Sequence, residues 1–151
     1  MRYLKEGGFT LLELIMLLVV LGLVALVVQP KFNVSGTNVS AVARQIQSDI
    51  RYAQEIAMSK SKAKSITFTP DQSSYSFSPS DPTDPPATQQ RIPAKTRVSI
   101  DSTSNGSSPV TFTFNSLGEP ISGAGDWVRL NGGGVTKTIT VEARTGRAII
   151  Q

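Results

Sequence analysis

Residues 9–28 have the sequence FTLLELIMLLVVLGLVALVV, in which Thr10 and Glu13 carry the only polar side chains. About twenty consecutive apolar residues are enough for an α-helix to cross the hydrocarbon layer of a membrane. Arg2 and Lys5 precede the run and a single lysine follows it closely, and more positive charge before a span than after it favours a cytoplasmic N-terminus. The sequence therefore predicts a single-pass protein of the inner membrane, with its remaining residues in the periplasm.

A cleaved secretory signal peptide is the alternative interpretation of this apolar run. Such a peptide carries its small-residue cleavage site after the apolar stretch. Here Gln29–Phe32 follow the run and provide no such site, whereas Gly7 and Gly8 precede it. The order of these features argues against a signal peptide, and we expect the run to stay in the mature protein.

The six residues Gly8–Glu13 read GFTLLE, and this motif resembles the type III signal of type IV prepilins and type II secretion pseudopilins. The resemblance implies that a prepilin peptidase cuts between Gly8 and Phe9 and that the new Phe9 amine is methylated. It also implies that Glu13 pairs with the N-terminal amine of a neighbouring subunit. Such an amine is protonated at neutral pH, and an ion pair in a low-dielectric core requires good geometry. The pair would therefore favour one axial register between adjacent helices.

Two residues interrupt the helical pattern of the N-terminal segment. Gly22 suits close packing of membrane helices, and Pro30 removes one backbone hydrogen bond and kinks a helix. Similar pilins carry a glycine and a proline at matching places, and the resemblance implies that the helix loosens between them in a filament. Gly22 and Pro30 are therefore candidate assembly residues, together with Glu13.

Beyond a segment rich in helix breakers at Asn33–Asn38, apolar residues recur at spacings of three and four. This period predicts an amphipathic helix whose apolar stripe packs on a globular domain. We expect one helix from near Phe9 to about Lys60, roughly 75 Å long at the usual rise per residue. The stripe consists of Val39, Val42, Ile46, Ile50, Ala53 and Ala57.

From Ser65 the apolar pattern alternates with a period of two, which predicts about seven short, mostly antiparallel strands. The polar, proline-rich stretch Pro79–Pro93 is a predicted surface loop, and Asn131–Gly134 a predicted turn or mobile loop. The predicted fold class is α+β and pilin-like, with a long N-terminal helix packed on a β-rich head. The predicted segments are a leader (1–8), a transmembrane or filament-core helix (9–30), an amphipathic second half of the helix (31–64) and a β-rich periplasmic head (65–151).

Both ends of the predicted head also resemble the GspH/FimT group of minor pilins and pseudopilins. The similar stretches are ARQIQSDIRYAQEIAMSKSKAKSITF at Ala43–Phe68, then Phe114–Gly118 and Ile139–Ile149. The resemblance implies a minor structural subunit that works with a prepilin peptidase, with other pilins or pseudopilins and with an inner-membrane assembly platform. Pilus minor pilins, mannose-sensitive-haemagglutinin-type pilus subunits and type II secretion pseudopilins all remain open.

A DNA-binding minor pilin of a natural-transformation pilus is the alternative function, because some proteins of the FimT kind bind DNA during uptake. DNA-binding members carry Gly-Arg-any-Arg in the tail. Here Gly146 and Arg147 match, but Ile149 stands at the second arginine position. A solvated charge run is the simpler interpretation of the lysines. The candidate DNA contacts are Lys60, Lys62, Lys64, Arg144 and Arg147.

Catalysis is the least favoured function. The 151 residues include no Cys and no His, so thiolate nucleophiles, disulfides and the commonest metal ligand and general base are absent. The sequence also lacks a Gly-x-Ser-x-Gly motif, a phosphate-binding loop and a dinucleotide fingerprint. We therefore expect a protein that is not an enzyme, with no catalytic residue, no metal site and no cofactor.

Overall fold

A computed structural model describes residues 9–27, 34–70, 72, 74–86, 90 and 92–151 of the protein. The chain divides into two compact units, residues 1–32 and 33–151, which we call the N-terminal unit and the C-terminal unit. Gly8 and Pro30 lie outside the described residues, as does the predicted continuity of one helix through positions 28–33.

The N-terminal unit contains helix α1, Leu11–Val27. The Oγ1 atom of Thr10 accepts a hydrogen bond of 3.3 Å from the Glu13 amide, which is the usual way a Thr side chain caps a helix N-terminus. Helix α1 has 17 residues. Within the described ranges, no helix combines the length and the apolar character needed to span a membrane. The predicted transmembrane helix at 9–30 is therefore not confirmed.

Helix α2 begins the C-terminal unit and covers Val34–Lys60. The breaker-rich segment is therefore helical from Val34 onward, with Ser35 and Gly36 in the first turn of α2. At the other end, Ser61 has a φ of 51° and the Lys62 amide bonds to the Ala57 carbonyl at 3.2 Å. This is a Schellman-type helix end, and it agrees with the predicted end near Lys60.

In the described part of the chain, eight strands form two four-stranded sheets in the orders β2-β1-β4-β5 and β3-β6-β7-β8. All neighbouring strands pair antiparallel. One turn of 3₁₀-helix, Ala94–Thr96, precedes β3. The strands are β1 Lys64–Phe68, β2 Tyr75–Ser78, β3 Ser99–Thr103, β4 Val110–Phe114, β5 Pro120–Ser122, β6 Trp127–Gly132, β7 Val135–Val141 and β8 Ala148–Ile150.

The core lies where α2 covers both sheets. Every residue of the predicted helical stripe is at most 4% exposed, and Ala43 joins it. Facing it, strand residues alternate inward, with Phe68, Phe112 and Phe114 fully buried. Burying one large apolar side chain contributes about 1.5–3 kcal/mol, so these aromatic residues are major sources of stability. The predicted α+β class, a long helix on antiparallel β-sheet, is confirmed.

Several local predictions are wrong in detail. Strand β5 was not expected, so the sequence undercounts the strands. The predicted turn at Asn131–Gly134 is present but shorter, because β6 extends to Gly132 and β7 starts at Val135, which leaves Gly133 and Gly134 to form it. In the predicted surface loop, Ile92 is 3% exposed and belongs to the core.

Candidate functional site

The described assembly candidates of the N-terminal unit are accessible. Phe9 is 73% exposed, and Glu13 is exposed in the first turn of α1, where the helix dipole favours a negative charge. An added Cβ at Gly22 would meet no atom within 4 Å. All three positions are therefore open to a neighbouring chain.

The predicted lysine run does not form one solvated patch. Lys64 begins β1 as an inward-facing residue, and its side chain is only 3% exposed. Its ammonium lies 2.7 Å from Asp84 Oδ1 and donates a 2.5 Å hydrogen bond to the Pro79 carbonyl. The interpretation of Lys64 as part of a solvated charge run is therefore wrong, because this charge is buried and already paired.

The other two lysines of the run differ from each other. Lys60 forms an ion pair with Asp81, and its ammonium holds the pKa of the Asp81 carboxyl well below its ordinary value, with Thr83 bonds adding to the effect. Lys62 is exposed. The helix end therefore presents one unpaired lysine where the sequence suggested three.

The Asp81–Asp84 loop is fixed to α2 by Lys60 and Tyr52 and to β1 by Lys64. Asp84 Oδ2 accepts a 2.7 Å bond from the Asp81 amide, and the Tyr52 hydroxyl donates a 2.6 Å bond to the Thr83 carbonyl. Burial raises the pKa of Tyr52, which keeps its hydroxyl a donor. Lys60 therefore holds the proline-rich segment against α2, and Lys64 holds it against β1. Both lysines have a structural role.

A second polar stripe on α2 faces strand β8. Arg44, Gln47 and Arg51 follow helical spacings of three and four, so they lie on one side of the helix. With Arg147 and the strand residues Ala148–Ile150 they line an open groove of about 460 Å³, which we call the α2–β8 groove. Three arginine side chains line this groove.

Two glutamine side chains fix the width of this groove. Gln47 Nε2 donates a 2.8 Å bond to the Ala148 carbonyl. Two turns further along α2, Gln54 Nε2 donates to the carbonyls of Gly118 at 2.7 Å and of Thr145 at 2.8 Å. These glutamine side chains extend from α2 and bind main-chain carbonyls at and near β8. The hydrogen bonds therefore hold α2 and β8 at a fixed separation.

The two C-terminal arginines lie around the turn before β8. Arg144 is exposed. Arg147 Nε lies 3.8 Å from Glu142 Oε2, and its side chain remains 67% exposed. Gly146 has a φ of 69°, which favours glycine at this turn position. The turn thus presents Arg147 to the groove.

The candidate DNA contacts are therefore not brought together as one surface. Lys60 and Lys64 face the Asp81–Asp84 loop, whereas Arg147 lines the α2–β8 groove with Arg44 and Arg51. The sequence reasoning missed the latter two as site residues. Their signal was the spacing of Arg44, Gln47 and Arg51 along one helix face.

Asp49 of α2 carries a half-buried carboxylate. The Tyr75 hydroxyl donates a hydrogen bond to Asp49, and Gln45 Nε2 approaches the same hydroxyl at 3.3 Å. Burial, above all, raises the pKa of Asp49 although the Tyr75 bond opposes it, and burial raises that of Tyr75.

The described residues hold no cluster of three or more metal-ligating side chains.

No protein-family model and no curated protein matches this sequence. Two crystal structures of the type IV minor pilin FimU of Pseudomonas aeruginosa strain PAO1 are similar in fold. One is 15% identical with a TM-score of 0.58, covering 76% of this chain and 89% of that chain. The other, also 15% identical, has a TM-score of 0.55 and covers 74% and 91%. The chain therefore has a type IV pilin-like fold.

Proposed function

We propose that the protein is a minor structural subunit of a type IV pilus and works by assembly with other pilins. The observation that carries the proposal is a combination: a pilin-like α+β unit follows an apolar helix whose first residues, Leu11–Glu13, are the end of the prepilin-type motif GFTLLE. Either feature alone is compatible with other proteins. Together they favour a filament subunit over an enzyme.

The surface of α1 supports an assembly role. Its described large apolar side chains, from Leu11 to Val24, are 49–77% exposed. A continuous apolar surface of this kind marks a contact with protein or lipid. In a filament, the apolar faces of neighbouring N-terminal helices would cover one another and remove this surface from water.

The finer steps of the proposal concern processing and register. A prepilin peptidase cuts after Gly8, and the new Phe9 amine is methylated. The carboxylate of Glu13 then accepts that amine from a neighbouring subunit, while Gly22 and Pro30 let the helix adapt to its neighbours. The inner-membrane assembly platform receives the processed chain. The exposure of Phe9 and Glu13 supports this scheme.

A pilus is favoured over a secretion pseudopilus because the similar solved structures are those of a pilus minor pilin. The DNA-binding alternative is weaker. Burial of Lys64 and the pairing of Lys60 engage two of its five proposed cations, and Ile149 replaces the second arginine of the tail motif.

Filament shearing tests the proposal. The chain is expressed in a piliated host with an active prepilin peptidase, and the sheared filaments are examined by immunoblotting and intact-mass measurement. We expect the chain in the filament fraction, beginning at Phe9 with one added methyl group. In a matched host lacking the peptidase it should keep Met1 and leave the filaments. Absence from filaments of the competent host would contradict the proposal.

Single-pass anchoring in the inner membrane stays a prediction of the sequence. Extraction of the membrane pellet with alkaline carbonate checks it, because an integral chain remains in the pellet and a peripheral one is released. Release of the unprocessed chain would show that the prediction is wrong.

A further inference from the structure

Strand β8 leaves one edge of the second sheet uncovered on the side of the α2–β8 groove. It is the last strand in the order β3-β6-β7-β8, and Arg44, Gln47 and Arg51 line the groove with it. An unpaired strand edge presents main-chain donors and acceptors to any extended polypeptide that reaches it.

The hydrogen-bond pattern identifies the groups at this edge. Gln151 exchanges two bonds with Thr138, and Glu142 donates to the Arg147 carbonyl. Bonded and non-bonded pairs alternate along an antiparallel ladder, so Ile149 bonds to β7 while Ala148 and Ile150 point away from it. Gln47 occupies the Ala148 carbonyl. The Ala148 amide and both main-chain groups of Ile150 therefore face the groove.

The α2–β8 groove also carries a net positive charge. Arg44 and Arg51 are exposed, and within the described residues neither has an ion-pair partner. Arg147 has only Glu142, at 3.8 Å. Three guanidinium groups around one carboxylate leave excess positive charge where the strand edge is open.

We propose that the α2–β8 groove binds an extended acidic segment of a partner protein, which adds as a strand along β8 and places carboxylates against Arg44, Arg51 and Arg147. Strand addition of this kind takes affinity from main-chain bonds and specificity from alternate side chains. The inference concerns the C-terminal unit alone and does not depend on the pilin proposal.

The chemistry of the edge favours a peptide over a nucleic acid. Phosphates would satisfy the arginines and the Ala148 and Ile150 amides, but they carry no proton for the Ile150 carbonyl. A peptide backbone supplies both a donor and an acceptor at each pairing position. An acidic polypeptide therefore satisfies the donors and the acceptor of this edge with its backbone and the three cations with its side chains.

The spacing of the cations fits an extended chain. Arg44 and Arg51 are seven residues apart, which is about 10 Å along a helix. Carboxylates on one face of a strand repeat every two residues, at about 7 Å. Since arginine side chains are long and flexible, acidic residues two or four positions apart can meet both guanidinium groups. Alternating acidic residues are therefore the expected pattern.

A direct test measures binding of a capped octapeptide of alternating glutamate and threonine to the full chain in non-ionic detergent. Fluorescence anisotropy of the labelled peptide gives the affinity. We expect the variant Arg44→Gln/Arg51→Gln to bind about tenfold more weakly, a loss of about 1.4 kcal/mol in all, since it removes two charge-assisted contacts. The variant Lys62→Gln/Lys95→Gln changes the net charge equally outside the groove and should bind within about twofold of the parent.

N-methylated peptides separate strand addition from charge attraction. One isomer carries methyl groups on every glutamate nitrogen and the other on every threonine nitrogen, so that both keep the same charge. In a strand only one of these sets of amides faces β8, so one isomer should lose binding and the other keep it. Equal binding of both isomers, no peptide binding, or tighter Arg44- and Arg51-dependent binding of a duplex DNA would each overturn the proposal.

Discussion

The ammonium of Lys64 lies 2.7 Å from a carboxylate oxygen of Asp84, and the two side chains are only 3% and 8% exposed. This buried pair joins the first residue of β1 to the proline-rich loop. Phe77 lies under the same ammonium, with its ring centroid 5.6 Å away. The pair therefore fixes a polar segment against the apolar core.

Removing one member of this pair should be costly. Lys64→Met leaves Asp84 charged and buried, and loss of one partner of a buried pair typically costs about 3–5 kcal/mol. The double variant Lys64→Met/Asp84→Asn carries no unpaired charge and should recover part of that loss. Urea unfolding of residues 33–151, followed by the fluorescence of Trp127, measures both.

Lys60→Met is the matched control, because its pair with Asp81 is more exposed and should contribute no more than about 1 kcal/mol. If Lys64→Met and Lys60→Met reduce the free energy of unfolding equally, the burial account of Lys64 is wrong.

The packing account predicts that the C-terminal unit folds alone. A fragment starting at Asn33 retains the buried helical stripe and should be soluble, with a cooperative thermal transition. A fragment starting at Ser65 loses α2 and exposes the apolar faces of both sheets, so it should aggregate. Circular dichroism and light scattering compare the two. Equal solubility and cooperativity of the shorter fragment would refute the packing of α2 on the sheets.

Two glycines with the same backbone conformation should respond differently to substitution. Gly106 and Gly146 both have a φ of 69°. An added Cβ meets nothing within 4 Å at Gly106, but at Gly146 it meets Phe114 Cε1 at 2.8 Å and Gln54 Nε2 at 2.9 Å. Gly106→Ala should cost about 1 kcal/mol for the backbone conformation.

Gly146→Ala should cost about 1–3 kcal/mol more than that, because overpacking displaces its neighbours. The difference in urea midpoint between the two variants gives this extra cost. Equal midpoints would show that the turn has room beside Phe114 and Gln54.

Asp49 should make the free energy of unfolding depend on pH in a known direction. Burial raises its pKa in the folded protein above the ordinary 3.8, so the folded state holds this proton more tightly than the unfolded state. The associated stability is present below about pH 3.8 and is lost as pH rises through the raised pKa. Asp49→Asn removes the titration.

The free energy of unfolding of the parent minus that of Asp49→Asn should therefore fall as pH rises from 3.8 toward neutrality. Urea titrations of both proteins at matched pH values give this difference. A constant or rising difference would contradict the inferred direction of the Asp49 shift.

The main elements of the fold can be predicted from the sequence because their apolar residues recur at regular spacings. The helical stripe from Val39 to Ala57 and the alternation at Val110–Phe114 both follow directly from burial on one face. The sequence does not indicate strand β5, because Pro120–Ser122 is short and contains a proline, which lacks an amide donor. The strand forms because it pairs with β4, and a pattern within three residues cannot indicate that pairing.

The candidate sites were predicted less completely, for physical reasons. Lys64 follows the charge run in sequence but shares the inward register of Ile66 and Phe68. Its burial depends on two loop groups distant in sequence, the Asp84 carboxylate and the Pro79 carbonyl. The α2–β8 groove depends on β8 lying beside α2. A helix face with Arg44 and Arg51 gives no local sign of which strand it meets.

The central claim is that this chain assembles through its N-terminal segment, and Glu13→Leu tests it most directly. The substitution leaves the neighbouring Phe9 amine without its partner, and loss of one member of a buried pair costs about 3–5 kcal/mol. The variant should be present in whole cells at the parent's level yet be missing from sheared filaments, whereas Leu12→Ile should assemble normally.

A subunit at the filament tip has no neighbour above it, and there Glu13→Leu is tolerated while blocking the Phe9 amine still prevents incorporation. The decisive measurement is therefore the amount of each form that co-purifies with the major pilin, relative to the parent. The account predicts that at least one of the two changes abolishes co-purification. Parent-level incorporation of both forms would contradict it.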